Sequence, residues 1–318
     1  MNLVEQQSKN LLDAIEKDKA PFKYIPSEVG VLKFCYTDNI KSEPYTQQEK
    51  NKKLFSWISC CVAVAVACWL IFNNSHVFDT IVSVIAIIVI IKTIRNITNF
   101  KGKDYFVGDE GFAVIEFEKN RDNIVSKSIY KYDDFSELIT GETIKKQNGA
   151  YVGTDYYFSF FSKPISTENG SSRVKLILDE SGTHSQEKPK DNQINGHYTF
   201  WKQIEDIWTK RKLTELLSQN ALGQVTFSIL HCPQNGNKWF ATPYVTLSND
   251  AIIVGGREYN RETLKNLWFE NGNLVIEHVN HSKKFWGLVE KGDIEHIPLT
   301  NIGNKKLFML YLQTIINF

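Results

Sequence analysis

The chain has 318 residues, with 37 Lys and Arg against 36 Asp and Glu, for a formal charge of +1. So even a balance provides no electrostatic field for nucleic acid or another polyanion, and five cysteines over this length exclude a disulfide-stapled scaffold. The length suggests about two folded units.

Residues 1–53 are expected to be a cytosolic N-terminal segment. Leu3, Val4, Leu11, Leu12 and Ile15 lie at spacings that suit one face of a short amphipathic helix ending before Pro21. The stretch 22–49 reads as irregular, with Pro26 and Pro44 as breakers. Leu54 to Phe72 then runs for 19 residues without a charge, a helix length of roughly 28 Å against a hydrocarbon core of about 30 Å. Trp57 and Trp69 stand near its ends, where amphipathic rings favour an interface. A second apolar run covers Val77 to Ile97, with Asp79, Lys92 and Arg95 near enough to its ends to snorkel. Only Asn73, Asn74, Ser75 and His76 separate the two runs. Residues 54–100 are therefore predicted to be a two-helix transmembrane hairpin (54–72 and 77–97). Lys50, Lys52, Lys53, Arg95, Lys101 and Lys103 flank it, which places both termini in the cytosol.

Cys60, Cys61 and Cys68 fall in the first run and are expected to act as small apolar side chains, while Cys35 and Cys232 are expected reduced. Ser56, Cys60, Ala63 and Ala67 recur at helical spacing. This stripe of small residues is the candidate helix-packing surface, against the second helix of the hairpin or a neighbouring subunit of a homo-oligomer.

Beyond the hairpin the periodicity changes to two. Phe112 to Glu118, Ile124 to Tyr130, Tyr151 to Phe161 and Arg173 to Leu178 read as strands, with polar loops at 162–172 and 181–196. A helix is predicted from Thr199 to Asn220, its apolar face marked by Phe200, Ile204, Ile207, Trp208, Leu216 and Leu217. A second series of strands follows at 225–231, 239–247, 251–254, 274–279 and 285–289. It ends in a helix over 304–318 whose apolar face is Leu307, Phe308, Tyr311, Leu312 and Ile315. Two halves, 104–223 and 224–318, thus share an order of strands first and one helix last. A weak internal echo accompanies it: Gly108 to Ile115 matches Ser248 to Gly255, and Tyr130 to Leu138 matches Glu258 to Leu267.

A membrane hairpin followed by DEGF (109–112), IYKYDDFSEL (129–138) and DYYFSFFS (155–162), then a terminal helix, resembles bacterial pleckstrin-homology-like membrane proteins. The resemblance covers about residues 53–220, and the internal echo extends it to the second half. It implies an α+β chain: a transmembrane hairpin plus tandem small β-barrel or sandwich domains, each closed by a C-terminal helix. It also implies a multi-pass protein of the bacterial inner membrane and a binding or scaffolding role.

Candidate chemistry is sparse. Lys119, Arg121, Lys127 and Lys131 occupy the stretch where eukaryotic pleckstrin-homology domains hold phosphoinositides. Here Glu116, Glu118, Asp122, Asp133 and Asp134 are interleaved with them, and the chain beyond residue 103 carries 24 basic and 27 acidic residues, so lipid-headgroup binding is not expected. His278 and His281 have H-x-x-H spacing without a third ligand, and in a strand they point to opposite faces. No catalytic residue, cofactor site or metal ligand is nominated, and the chain is not expected to be an enzyme. The positive sign is aromatic: Tyr156, Tyr157, Phe158, Phe160, Phe161, Trp268, Phe269, Phe285 and Trp286 exceed what one sheet face can bury. The expected function is a membrane-anchored, cytosol-facing scaffold that recruits a protein partner. The alternative is a membrane-active effector whose hairpin oligomerises and perturbs the bilayer.

Overall fold

The computed structural model describes residues 22, 24–39, 44–71, 84, 88, 89, 91, 100–185, 196–219, 223–233, 238–284 and 289–316. The chain divides into two compact units, one of residues 1–108 and 112–129, the other of 109–111 and 130–318.

The membrane hairpin is not found: among the described residues no helix is long and apolar enough to cross a membrane. Helix α1 covers Gln47–Ile71. Its first two turns, Gln47 to Lys53, are polar and carry three lysines, so the helix begins seven residues before the apolar run read as the first span. The expected second span, 77–97, lies outside the described residues apart from helical positions at Val84, Ile88, Val89 and Ile91. The two-span membrane partnership, the multi-pass inner-membrane placement and the hairpin-based fold class fall with it. The amphipathic helix expected near the N-terminus also lies outside the described residues.

In the first unit, strands β1 (Leu32–Thr37), β2 (Lys101–Gly108), β3 (Gly111–Glu118) and β4 (Ile124–Lys131) form a sheet in that order. Val29, Cys35, Phe106, Ala113 and Ile115 make its core, with Phe22, Leu32 and Ile129 packed on them. Gly108 lets two backbones meet, since a Cβ there would sit 2.1 Å from the Val29 carbonyl oxygen.

In the second unit, β5 (Phe135–Gln147) and β6 (Ala150–Ser162) form a long hairpin, with Asn148 and Gly149 both at positive φ (52° and 81°) in its turn. Strand β9 (Leu176–His184) completes a sheet of order β5-β6-β9, and helix α2 (Gly196–Ser218) follows. Strands β10 (Gln224–His231), β11 (Trp239–Ser248), β12 (Ala251–Val254) and β13 (Arg257–Asn260) pair in sequence order. Strands β14 (Leu264–Glu270), β15 (Asn273–His278) and β18 (Ile294–Pro298) form a further sheet. Between the last two lies a small hairpin of β16 (Ser282–Lys284) and β17 (Val289–Lys291), and helix α3 (Lys305–Ile316) comes last. A short hairpin of β7 (Ser166–Glu168) and β8 (Ser171–Val174) docks on β11, Val174 facing Trp239.

The structure thereby joins the two halves read from the sequence. Beyond that strand pairing, a shared core of Ile139, Phe161, Val174, Leu230 and Ala241 draws on both. The largest core, including Phe227, Val245, Leu247, Ile252, Leu274, Ile276, Ile297, Phe308 and Leu312, also receives Leu213 and Leu216 of α2. Helix α2 buries Phe200, Trp201, Ile204 and Trp208 on one face, as the spacing of its apolar residues dictates.

Candidate functional site

Most of the aromatic excess resolves into core. Tyr156, Phe158, Phe160 and Phe161 are buried, with Phe135, Phe160 and Trp208 in mutual ring contact. Tyr157 is half-buried and donates its hydroxyl proton to the Thr300 carbonyl (3.2 Å). Phe285 and Trp286 lie outside the described residues. What stays at the surface is on β14: Leu267 and Trp268 are half-buried and Phe269 is 52% exposed. Leu267 and Phe269 stand opposite Ile276 and Leu274, which are fully buried, so both lie on the core-facing side of the strand. Phe269 nonetheless reaches past the cover of that core. Trp268, on the other side, donates its indole N–H to Glu270 Oε2 (3.1 Å).

Strand β14 ends its sheet and, among the described residues, pairs with β15 alone. It is held by Glu277 of β15. A bulge between Leu264 and Asn266 brings both Lys265 and Asn266 to that carboxylate: Lys265 Nζ lies 3.0 Å from Oε1 and Asn266 Nδ2 2.5 Å from Oε2. His281 Nδ1 adds a contact of 2.6 Å to Oε1. The His281, Asn266 and Lys265 hydrogen bonds hold the Glu277 carboxyl well down, at about 2. The H-x-x-H pair is thus divided between tasks. His281 orients on Glu277, whereas His278 Nδ1 accepts the Asn280 N–H (3.1 Å). Among the described residues no three side chains could hold a metal ion together.

The four cations compared with a headgroup site are dispersed. Arg121 is buried on Asp104 at 2.6 and 2.7 Å, Lys127 meets Glu28 at 2.8 Å, and Lys131 meets Glu110 at 3.0 Å. Lys119 occupies a turn at φ 68°. In the first unit, a cavity of about 490 Å³ is lined by Asp38, Asn39, Lys101, Lys103, Glu116 and Glu118 among others. Its charges are mixed, and Lys103 and Glu116 are already paired at 2.5 Å. Of the small-residue stripe, Ser56, Cys60 and Ala63 are exposed on α1, and the surroundings of the Ala67 side chain are outside the described residues.

Sequence reasoning missed a buried polar network in the second unit. Glu205 of α2, 3% exposed, accepts hydrogen bonds from Thr140 Oγ1 (2.8 Å) and Lys202 Nζ (2.6 Å). Lys305 Nζ donates to the Thr140 carbonyl (2.5 Å), and burial lowers its pKa. Because both Glu205 oxygens are engaged, the arrangement ties β5, α2 and α3 together. The only hint in the sequence was a glutamate on the apolar face of a predicted helix.

No family model matches the chain, and neither a curated protein nor a solved structure matches it significantly.

Proposed function

We propose that this protein works by contact and not by catalysis, binding a protein partner at the edge of the β14-β15-β18 sheet. The observation that supports this is β14 itself: an edge strand fixed by Glu277, with Phe269 half in solvent and Leu267 and Trp268 beside it. An extended segment of the partner adds to the edge through backbone hydrogen bonds, and apolar side chains cover Phe269. The resemblance to pleckstrin-homology-like binding modules is part of the same proposal. Its support is an order that recurs along the chain: four strands (β1 to β4), three (β5, β6, β9) and α2, then four (β10 to β13, extended to a six-stranded sheet by β7 and β8), three (β14, β15, β18) and α3.

Affinity capture from cells, comparing the wild-type chain with Phe269→Glu and Trp268→Ala, tests the reading. A partner recovered with the wild type and lost with Phe269→Glu, at unchanged thermal stability, supports it. Recovery of the same proteins with all three chains refutes it.

A further inference from the structure

The first turn of α2 is fastened to β6 through the two nitrogens of one imidazole, and its partners leave a single place for the proton. Trp201 is buried, its ring against Phe158 (centroids 5.8 Å apart) and Phe200 (4.9 Å). Its indole N–H, a group that only donates, reaches His197 Nε2 at 3.2 Å. Nε2 is therefore the bare nitrogen, and the proton of the neutral ring sits on Nδ1. From there it is donated to the Tyr156 hydroxyl oxygen, 2.6 Å away. Tyr156 is buried too, and Gly182, opposite it on β9, makes the room for that hydroxyl: a Cβ there would stand 2.4 Å from the oxygen.

The titratable groups on the surrounding elements engage one another. Glu142 of β5, opposite Tyr156, accepts the Tyr198 hydroxyl (2.8 Å) and lies 3.5 Å from Lys202 Nζ. Lys202 is also 2.6 Å from Glu205. On β9, the His184 ring lies against Tyr198 (centroids 4.4 Å apart), and Glu180 stands opposite Phe158. Both His197 nitrogens are thus engaged by uncharged side chains. A second proton has to enter at Nε2, where it faces the indole N–H, donor against donor. Its charge also falls in the first turn of α2, where unsatisfied backbone N–H groups disfavour a cation.

We propose that His197 is a proton-sensitive catch for the start of α2. Neutral, it fastens the first turn to Trp201 and Tyr156; protonated, it gives up the Trp201 bond and the turn lets go. In the open turn the imidazole takes up a proton at its ordinary value of about 6.5, whereas docked it does so only by losing that bond. The docked form holds a proton less firmly than the open one. The catch is therefore closed above about 6.5 and weakens as pH falls below it. With the docked ring wholly neutral, opening is about 30-fold more favourable at pH 5 than at pH 8.

Nitrogen-15 shifts of His197 in the full chain test the geometry first. At pH 8 a protonated Nδ1 and a bare Nε2 are expected, and the reverse tautomer refutes the catch. On titration a midpoint below about 6.5 supports it, and one at or above that value refutes it. Hydrogen exchange then reads the opening, corrected for the intrinsic pH dependence of exchange. The amides of Phe200 and Trp201 have the Gly196 and His197 carbonyls as their helical acceptors. Their protection should fall by up to about 30-fold from pH 8 to pH 5 in the wild type. It should hold in His197→Gln, whose side-chain carbonyl accepts the Trp201 N–H at both pH values. Equal protection at both pH values in the wild type, or an equal loss in His197→Gln, overturns the proposal. If the variant does not fold, the tautomer and the midpoint decide the matter by themselves.

Discussion

Removing the Arg121 guanidinium should destabilise the first unit by an amount that depends steeply on pH. Arg121 and Asp104 side chains are 1% and 7% exposed. Nη1 of Arg121 donates to both carboxylate oxygens, while Nη2 donates to Thr37 Oγ1 (3.3 Å) and to the Asn39 carbonyl, with the guanidinium 4.5 Å from the Phe117 ring centre. Burial already raises the Asp104 carboxyl from its ordinary 3.8, and the Arg121 bonds draw it back down. In Arg121→Leu burial and the Asp38 charge are opposed only by the Thr37 hydrogen bond, so Asp104 takes up a proton to stay folded. Protonating a free aspartate at pH 7 costs ~1.36 kcal/mol for each unit above 3.8, or about 4 kcal/mol, within the usual 3–5 for a broken buried pair. At pH 5.5 the same reasoning gives about 2 kcal/mol and at pH 4.5 about 1. Pulse proteolysis in urea, following cleavage within residues 100–129, measures these three values. The double variant Arg121→Leu/Asp104→Leu should lie within ~1 kcal/mol of the wild type or above it, since an apolar pair has no charge to desolvate. A loss below ~1 kcal/mol at pH 7, a loss that does not shrink with acid, or a double variant as unstable as the single one would refute the reasoning.

Leu312 is 1% exposed in the largest core. Leu312→Asp should therefore abolish the protease resistance of residues 225–312, because an unpaired charge there exceeds what a stability of ~5–15 kcal/mol can absorb. Trp208→Phe keeps the ring contacts with Phe135 and Phe160 but deletes the indole donor to Asn304, and equilibrium unfolding should show a loss of about 1 kcal/mol. Glu277→Gln tests the hub beneath β14. Its carboxyl is depressed from 4.5 to about 2, so its stabilisation is present above 4.5 and is lost as pH falls toward 2. Acid unfolding followed by circular dichroism should show wild type and variant converging by pH 2, and a constant separation down to that pH would contradict the assignment.

Periodicity and composition determined where several elements begin and which side each buries. Period-two runs at 112–118 and 124–130 are β3 and β4, and the helical spacing of Phe200, Ile204 and Trp208, and of Leu307, Phe308 and Leu312, marks the buried faces of α2 and α3. These follow from local geometry, since a side chain's direction is set by its own backbone. The same local reading took the absence of charge from 54 to 72 for a membrane span, because hydropathy measures composition and not surroundings.

Contacts between distant segments were beyond it. Strand β1, in a stretch that reads as irregular, is made a strand by pairing with β2, Tyr36 opposite Tyr105. Val174 meets Trp239 only because β11 accepts a hairpin from the other half of the chain. The chemically distinctive residues depend on such contacts too. In the sequence Asp104, Arg121 and Glu277 are three charges among 73. A carboxylate becomes the buried partner of Arg121, or a hub for Lys265, Asn266 and His281, only once the chain has brought those partners to it. Desolvation and hydrogen bonding are properties of the assembled environment, and residue type alone sets only the reference from which they shift the charge.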